Sequence, residues 1–495
     1  MKVFNFRLFP YLLITLAAGI VTAAFDKLAV DIIVIAIVSV LALLSYKTRY
    51  FKIVLTGAIT LTAGIVITAL TLFINKPAVF NDVEISGRVT GDIYVSDTYT
   101  FITLDDLSVE GKPVRGKADL ILVNEELLNI IPETGDILTF KGDLRKLSIN
   151  PYNSKDVRAY YNRIYYNAEF DYIVNRAQGK IKLNEKIGYY IRRIIDDNIS
   201  DKDVGDMAYS LITGDKVIDS ELYESISVSG LAHVFVVSGL HVSILAAFVY
   251  YLLKLCKANK LLSLLLTVAV LLFYSYICGF PPSVIRAVIM CALVLLGRHL
   301  GLRNDTLSIV SFSAFITLLV SPLSLMHISF QMSYGSVLGI ILLYKPLGRL
   351  TPEFPLKSVL VTTISANIAL LPVFTFYFNS LSLYFVFANL IVLPFIAFIY
   401  IVLISGIVLA AALPVLGIII KISGFMLTAI KMLTGFIVSL PYSEIVIGSI
   451  GIFAIFYYMC IIISSDYLLL NRRISVRLYA LFSLLSLTGI ILALY

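Results

Sequence analysis

The chain has 495 residues, of which 59% are hydrophobic and only 14% are charged, and its mean hydropathy is +0.92. This composition excludes a water-soluble globular protein, because a soluble domain exposes a much larger charged surface. The formal net charge is +7. The four cysteines all lie in or beside apolar runs, with neither a disulfide framework nor metal-type spacing. The sequence therefore predicts a polytopic α-helical membrane protein.

Apolar runs fall into two blocks. The first three begin near Leu8, Ala29 and Ile53 and predict N-terminal transmembrane helices over residues 1–75, the first of them a retained span rather than a cleaved signal peptide. A second transmembrane domain is predicted over residues 206–495, which gives about ten to thirteen spans in all, some of them broken or re-entrant. Its runs begin near Leu231, Leu261, Val284, Leu307, Phe330, Val359, Leu383, Ile407, Phe425, Ile445 and Val476.

Lysine and arginine are concentrated in short loops, and such loops mark the cytoplasmic side of a membrane. The clusters are Lys2 and Arg7; Lys47, Arg49 and Lys52; Lys254, Lys257 and Lys260; Arg298 and Arg303; Lys345, Arg349 and Lys357; and Arg472, Arg473 and Arg477. They predict a multi-pass protein of the cytoplasmic membrane with its N-terminus inside and the segment after the third span outside. Between Lys357 and Arg472 the spans have the wrong parity, so one run is re-entrant, interfacial or fused with its neighbour.

Residues 76–150 have a different pattern. Val83, Ile85 and Val89 alternate with polar residues, and short runs rich in β-formers follow at 94–104, 120–123 and 137–140, separated by glycines. About five short strands in this length predict a small extracytoplasmic β-barrel, with the OB-fold as the leading candidate.

An OB-like barrel raises the question of nucleic-acid binding. Residues 76–150 contain 8 Lys and Arg against 13 Asp and Glu, whereas a single-strand-binding groove is basic. Four aromatic residues could stack on bases, but aromatic residues are also ordinary strand formers. A structural or partner-docking role is at least as compatible with the charge. The aromatic residues are Tyr94, Tyr99, Phe101 and Phe140.

A tyrosine-rich, basic connector is predicted over residues 151–205. Its part from Ile181 to Ile199 has helical periodicity, which predicts a helix on the membrane surface. The basic residues of this segment can bind phosphate groups, and we favour the phosphates of lipid headgroups as their partners.

The segment from Ser229 to Val242, SGLAHVFVVSGLHV, places His233, His241 and two Ser-Gly pairs at the start of an apolar run. Polar groups in hydrocarbon need partners, and glycine tolerates unusual dihedral angles. We therefore predict a helix interrupted near Ser238 and Gly239, with unwound backbone facing water or substrate. The alternative is two tightly packed helices that use the glycines as contact points.

Several segments in the same order resemble the ComEC family of competence proteins, the inner-membrane channels that take up DNA during natural transformation. The segments are Asn150-Pro151 with Asp156, Arg158 and Tyr160; Leu211 to Lys216; Gly230 to Val242; Gly279, Pro281, Pro282, Ser283, Arg286 and Ala287 with the later Arg298; Pro322 with Phe330 to Ser333; and Pro372, Phe378, Asn389 and Pro394. Tyr152 and Asn153 replace two glycines of the family pattern.

The resemblance implies a channel that conducts single-stranded DNA inward across the cytoplasmic membrane. It also implies an extracytoplasmic DNA receptor and a separate nuclease as partners, besides membrane lipids. Many family members end in a metallo-β-lactamase-like domain, whose metal site needs a His-x-His-x-Asp-His cluster. The four histidines here do not have that spacing, so we expect no hydrolytic activity, no metal and no cofactor.

Ten residues are predicted to line the DNA path or its gate. Arg286 is the strongest candidate, because a guanidinium beside an apolar run suits phosphates, although an arginine at headgroup level is the alternative. The uncharged polar residues suit a conducting route and equally suit helix–helix hydrogen bonds. The ten are His233, Ser238, Gly239, His241, Pro282, Ser283, Arg286, Gln331, Ser333 and Asn389.

Two other functions stay open. A membrane-embedded enzyme would use His233, Ser238 and His241, but no acid or metal ligand lies at suitable spacing to orient them. A transporter of another polyanion, such as a phosphorylated lipid or glycan, would also need Arg286. The chain contains no Walker-type loop, so we expect a cytoplasmic ATPase motor or single-strand-binding protein to pull the strand.

Overall fold

A computed structural model describes most of the chain in two compact units. The described residues are 8–24, 28–46, 51–74, 79–95, 99–123, 134–147, 159, 163–179, 181–215, 217–302, 305–448, 451–465, 482, 483 and 486. The helical unit comprises residues 1–13, 187–316 and 328–495, and the barrel unit comprises residues 14–186 and 317–327. The predicted run at Val476, the Asn150-Pro151 segment through Tyr160, and Lys216 lie outside the described residues.

Apolar α-helices dominate the described chain. The first three are α1 (Leu8–Ala24), α2 (Leu28–Leu44) and α3 (Phe51–Ile74), followed after the barrel by α4 (Leu183–Asp196), α5 (Lys202–Thr213) and α6 (Ser220–Val228). The next are α7 (Gly239–Leu255), α8 (Lys260–Ile277), α9 (Pro282–His299), α10 (Thr306–Val320) and α11 (Ile328–Leu350). The last are α12 (Lys357–Tyr377), α13 (Phe385–Ala412), α14 (Ile418–Val438) and α15 (Ala454–Ser464).

Within the described residues, six helices are long and apolar enough to cross a membrane, and five shorter apolar helices accompany them. The chain is thus a multi-pass helical protein, as its composition predicted. Three predicted runs differ from the observed helices. The run at Leu231 becomes α-helical only at Gly239, the run at Ile407 is the second half of α13, and the run at Ile445 begins in a short strand. The predicted runs at Leu383 and Ile407 are therefore one helix, α13, and not two.

The inserted domain is a closed five-stranded barrel. Its strands are β1 (Phe80–Val95), β2 (Tyr99–Val109), β4 (Lys117–Val123), β5 (Ile137–Lys146) and β6 (Ile164–Ala177), while β3 (Lys112–Pro113) only extends a hairpin of β2. Around the barrel the order is β1-β2-β4-β6-β5 and back to β1. Only β4 and β6 pair in parallel. This arrangement confirms the prediction of a small OB-like barrel.

Alternation of apolar and polar residues builds the barrel core. Ile85, Leu104 and Phe140 are almost completely buried, and on β5 every second residue points inward. Phe140 is therefore a core residue rather than a stacking platform for bases. The closing strand β6 lies past residue 150, in the segment that the sequence assigned to a connector, because closure needs a partner for both β4 and β5.

One ion-pair network joins the barrel wall to the first turn of α4 inside the barrel unit. Arg88 bonds both carboxylate oxygens of Asp105, at 2.9 and 3.1 Å, and also bonds Glu185 at 3.1 Å. Lys182 donates a further bond to Asp105 at 2.7 Å. The side chain of Arg88 is only 9% exposed. A buried guanidinium of this kind requires its carboxylate partners, because an isolated buried charge is very costly.

In the helical unit, α4 and α5 belong to the main apolar core. Ile194 and Ile195 of α4 pack in one cluster with Met207 and Leu211 of α5 and with residues of α7, α9, α13 and α14. The predicted helix over 181–199 is therefore present. Its apolar face is covered by protein, which explains the helical periodicity of that segment.

We predict that Arg88→Gln loosens the barrel. The substitution leaves Asp105 and Glu185 without their main cation, and breaking a buried pair typically costs about 3–5 kcal/mol. Hydrogen–deuterium exchange of the purified full chain should show faster exchange in peptides covering β1 and β2. Arg145→Gln is the control, since Arg145 is 59% exposed and such surface pairs contribute little. Equal exchange in both variants would contradict a structural role for the network.

The same network predicts a pH dependence. Burial raises the pKa of Asp105, but hydrogen bonds from Arg88 and Lys182 outweigh it and hold that pKa below its usual value. The stability that Asp105 contributes is therefore present above the usual carboxyl pKa and is lost as the pH falls through the lowered one. We expect calorimetry to show a lower barrel transition for Asp105→Asn at pH 7, and the gap to the parent chain to shrink below about pH 4. A gap that is constant with pH would contradict the assignment.

Candidate functional site

The chain between α6 and α7 is a break in helical structure. A 3-10 turn at Ala232–Val234 is the only regular element between Val228 and Gly239 in this fully described stretch. Gly230 has φ +77°, and a Cβ atom there would come within 2.6 Å of the Cβ of Phe385. Glycine is required for both reasons. The predicted interruption near Ser238 and Gly239 is confirmed.

Ser238 and His241 close the break by capping α7. The backbone N–H of Ser238 donates to Nδ1 of His241 at 3.2 Å, and Ser238 Oγ accepts from the backbone N–H of Leu240 at 3.3 Å. Since Nδ1 accepts, we assign the proton of the neutral ring to Nε2. The His241 side chain is fully buried, its ring lies 4.9 Å from that of Tyr400, and Nε2 has no hydrogen-bond partner among the described residues. The Ser238–His241 contact is thus first of all a helix cap.

Val237 connects the break to two other segments. Ser283, in the first turn of α9, donates from Oγ to the carbonyl of Val237 at 3.0 Å. Gly214, which ends α5 with φ +80°, lies so close that a Cβ atom would be 2.9 Å from a methyl group of Val237. The unwound carbonyl of Val237 is therefore satisfied by a side chain from another helix, as a buried backbone group requires.

The end of α5 is held in the same way. Tyr274 of α8 donates its hydroxyl to the carbonyl of Ile212 at 2.9 Å, and the thiol of Cys278 lies 3.6 Å from the same oxygen. Tyr274 also has an edge-on contact with Tyr400, whose ring meets His241. Segments around 212, 237, 241, 274 and 283 thus converge on one polar junction inside the helical unit.

Arg286 lies one turn beyond Ser283 and is 1% exposed. Its Nη2 donates to the backbone carbonyl of Ser329 at 2.7 Å and to the hydroxyl of Ser329 at 3.0 Å. The guanidinium carbon is 5.7 Å from the ring centre of Tyr334, a cation–π distance. Arg286 is therefore enclosed by protein between α9 and the first turns of α11.

The other predicted residues lie around the break and in three helices. His233 is exposed in the 3-10 turn, Gly239 lies against Ala287, and Pro282 opens α9. Gln331 lies within hydrogen-bonding reach of Tyr377. Asn389 is 2% exposed, and it donates to the carbonyl of Phe385 at 2.8 Å while its Oδ1 has no bond to any described residue.

The structure joins some of the ten residues and separates others. Ser238 pairs with His241, and Ser283 and Gly239 tie α9 to the break. Ser333 is half-buried in α11, where its backbone carbonyl accepts a hydrogen bond from the hydroxyl of Ser336. Within the described residues no group of three or more His, Cys, Asp or Glu side chains is placed to hold a metal ion.

Three contributors to the junction were not predicted from the sequence. Tyr274 bonds the carbonyl of Ile212, the ring of Tyr400 packs against that of His241, and Ser329 accepts hydrogen bonds from Arg286. The available signal was a tyrosine inside an apolar run, as in the stretch around Tyr274, since a buried tyrosine usually needs a partner for its hydroxyl.

The fold and the junction define a class: multi-pass helical membrane proteins with an inserted small barrel and a polar, broken-helix junction. Comparison with known proteins identifies the family. Residues 211–472, more than half of the chain, match the family described as "Competence protein". The chain therefore belongs to the Competence protein family, which confirms the resemblance to ComEC proteins.

A curated relative supports this assignment over a shorter stretch. The chain is 26% identical over 190 residues to ComE operon protein 3 of Bacillus subtilis (strain 168), which covers 38% of this chain and 24% of that protein. The match thus spans about a quarter of the relative's length. No solved structure matches the chain significantly.

We predict that Tyr274→Phe destabilises the junction. The variant leaves the buried carbonyl of Ile212 without its hydroxyl donor, at a cost of about 1–3 kcal/mol. Thermal unfolding of the purified full chain in detergent should show a lower midpoint. Tyr276→Phe is the matched control, because Tyr276 lies half-buried on the same helix and its ring contact with Phe280 survives the change. Identical midpoints for both variants would contradict the role of this bond.

Proposed function

We propose that the chain conducts single-stranded DNA across the cytoplasmic membrane during natural transformation. The family match over residues 211–472 carries the proposal, because the matched region contains the whole polar junction and Arg286. The relative's name refers to a competence operon. Conduction of a polyanion through the hydrocarbon core requires a polar, cationic route. The junction provides polar groups inside the apolar bundle, where such a route would have to pass.

Two features of the junction support a path or gate over simple packing. Nε2 of His241 and Oδ1 of Asn389 are buried atoms without hydrogen bonds to described residues. Each unsatisfied buried group costs about 1–3 kcal/mol. A phosphate that entered between the helices would accept a hydrogen bond from Nε2 of His241, and a base N–H would donate one to Oδ1 of Asn389. The observed arrangement is then the closed state, in which Arg286 bonds Ser329 in place of a phosphate.

In this proposal the barrel lies outside the cytoplasmic membrane, the N-terminus lies inside, and the basic loops face the cytoplasm. The strand reaches the junction from an extracytoplasmic DNA receptor, after a separate nuclease has removed the complementary strand. A cytoplasmic ATPase motor or single-strand-binding protein draws it inward. The chain itself acts as a transport channel and not as an enzyme.

The test is transformation by purified DNA in cells that carry only Arg286→Ala or His241→Ala. We expect a decrease of about tenfold or more for Arg286→Ala, because a lost charge-assisted hydrogen bond is typically worth about 1.5–3 kcal/mol. Arg145→Ala on the exposed barrel surface is the control and should transform normally. Membrane levels of each variant are measured in parallel by immunoblotting.

Arg286→Lys extends the test if the alanine variant fails to accumulate, since lysine keeps the charge but loses the planar donor fork. Normal transformation by variants that are present at normal levels would contradict the proposal and assign Arg286 and His241 to helix packing. Uptake that does not depend on single-stranded DNA would favour another polyanion as cargo. Turnover of a small substrate that requires Ser238 and His241 would favour a membrane-embedded enzyme.

A further inference from the structure

The helices of the helical unit have a common polarity at the junction. Gly239 begins α7 and lies against Ala287 in the second turn of α9, and Arg286 bonds Ser329 in the first turn of α11. Helices α7, α9 and α11 therefore start at the same end of the unit, here called the motif end. At 1.5 Å per residue, their C-termini lie roughly 25–35 Å away, at the opposite end.

That opposite end, here called the basic end, is rich in cations. The last two turns of α7, α9 and α11, the loops after them and the first residues of the next helices contain seven described lysines and arginines and only two described acidic residues, Asp305 and Glu353. All seven except Lys357 are exposed. Lys357 pairs with Glu353 at 2.6 Å. The seven are Lys254, Lys257, Lys260, Arg298, Lys345, Arg349 and Lys357.

The motif end has the opposite charge. Asp215, Asp219, Glu221 and Glu224 are all exposed in the loop and helix that lead from Gly214 into the break. Among these described side chains, the charge thus changes from negative at the motif end to positive at the basic end. A polyanion is more stable at the basic end, and its return toward the motif end is opposed.

Aromatic rings accompany these cations. Tyr251 is 58% exposed one turn before Lys254, and Tyr344 is 39% exposed beside Lys345. Proteins that bind single strands without sequence preference combine mobile cations for phosphates with exposed rings on which bases stack. An acidic protein partner would require the cations but not the rings.

We infer that the basic end is a binding surface for single-stranded DNA, which holds the strand by its phosphates where it leaves the helical unit. This inference rests on the proposed function for the direction of travel. The binding itself rests on the charges and rings. A bias of lysine and arginine toward the cytoplasm also orients membrane proteins, so the test must separate binding from orientation.

The native thiol of Cys256 provides the probe, because it is exposed between Lys254 and Lys257. The full chain is placed in phosphatidylcholine nanodiscs, which present no anionic lipid, and is labelled with a charged maleimide with or without oligothymidylate of about 20 nucleotides. We expect the oligonucleotide to slow labelling of Cys256 severalfold at low salt and not at high salt. Cys256→Ser gives the background from the other thiols.

A triple variant, Lys254→Gln, Lys257→Gln and Lys260→Gln, measures the contribution of one loop. Its affinity for the oligonucleotide should fall, and the slope of log affinity against log salt should become shallower by about 2, since each lost phosphate contact contributes about 0.7 for a single strand. The control neutralises three exposed barrel cations, Lys112, Arg115 and Arg145, which makes the same change in net charge. It should bind as the parent chain does.

Unchanged labelling and unchanged binding in the triple variant would overturn the inference. The basic residues would then serve only to orient the chain in the membrane. Protection of Cys256 by polyglutamate but not by oligothymidylate would overturn it in favour of an acidic protein partner. Loss of binding in the barrel control, and not in the triple variant, would overturn it by placing the DNA-binding site on the barrel. None of these experiments requires transport, so they test the binding surface independently of the proposed channel. The channel is tested by the transformation of cells that carry Arg286→Ala.

Discussion

The structure depends on one constraint: a polar backbone group inside an apolar bundle must have a partner from the protein itself. The break between α6 and α7 and the end of α5 expose such groups, and side chains from the protein bond three of them. Ser283 donates to the carbonyl of Val237, Tyr274 donates to that of Ile212, and His241 accepts from Ser238. These bonds bring together segments that are far apart in sequence. The polar junction is the physical consequence of keeping a helix broken among apolar neighbours.

Arg286 shows the same constraint for a charge. It is almost completely buried, bonds the carbonyl and hydroxyl groups of Ser329, and faces the ring of Tyr334. The bonds to Ser329 are hydrogen bonds from a charged donor, which are stronger than those between neutral groups. In the proposed channel, phosphate oxygens can replace the oxygens of Ser329, because a guanidinium binds phosphate through the same N–H donors.

In the barrel, the buried arginine is stabilised by carboxylates. Arg88 is paired with two carboxylates, Asp105 and Glu185, and the network stabilises the wall of the barrel and its contact with the first turn of α4 inside the barrel unit. The barrel segment is acidic, whereas six exposed cations of the helical unit lie at its basic end. Binding of a strand by phosphates is thus supported at the end of the helical bundle more than in the barrel, even though the barrel has an OB-like topology.

The sequence by itself determined the class of protein, because a high apolar content with short basic loops is incompatible with a soluble fold. It also determined most helices, four barrel strands and the position of the break, because each leaves a local periodicity or a Ser-Gly signal. Only the tertiary structure showed that β6 closes the barrel and that the run at Ile407 belongs to α13. It alone placed Tyr274, Tyr400 and Ser329 at the junction and Phe140 in a core. These depend on contacts between distant segments, and such contacts leave no periodic trace along the chain.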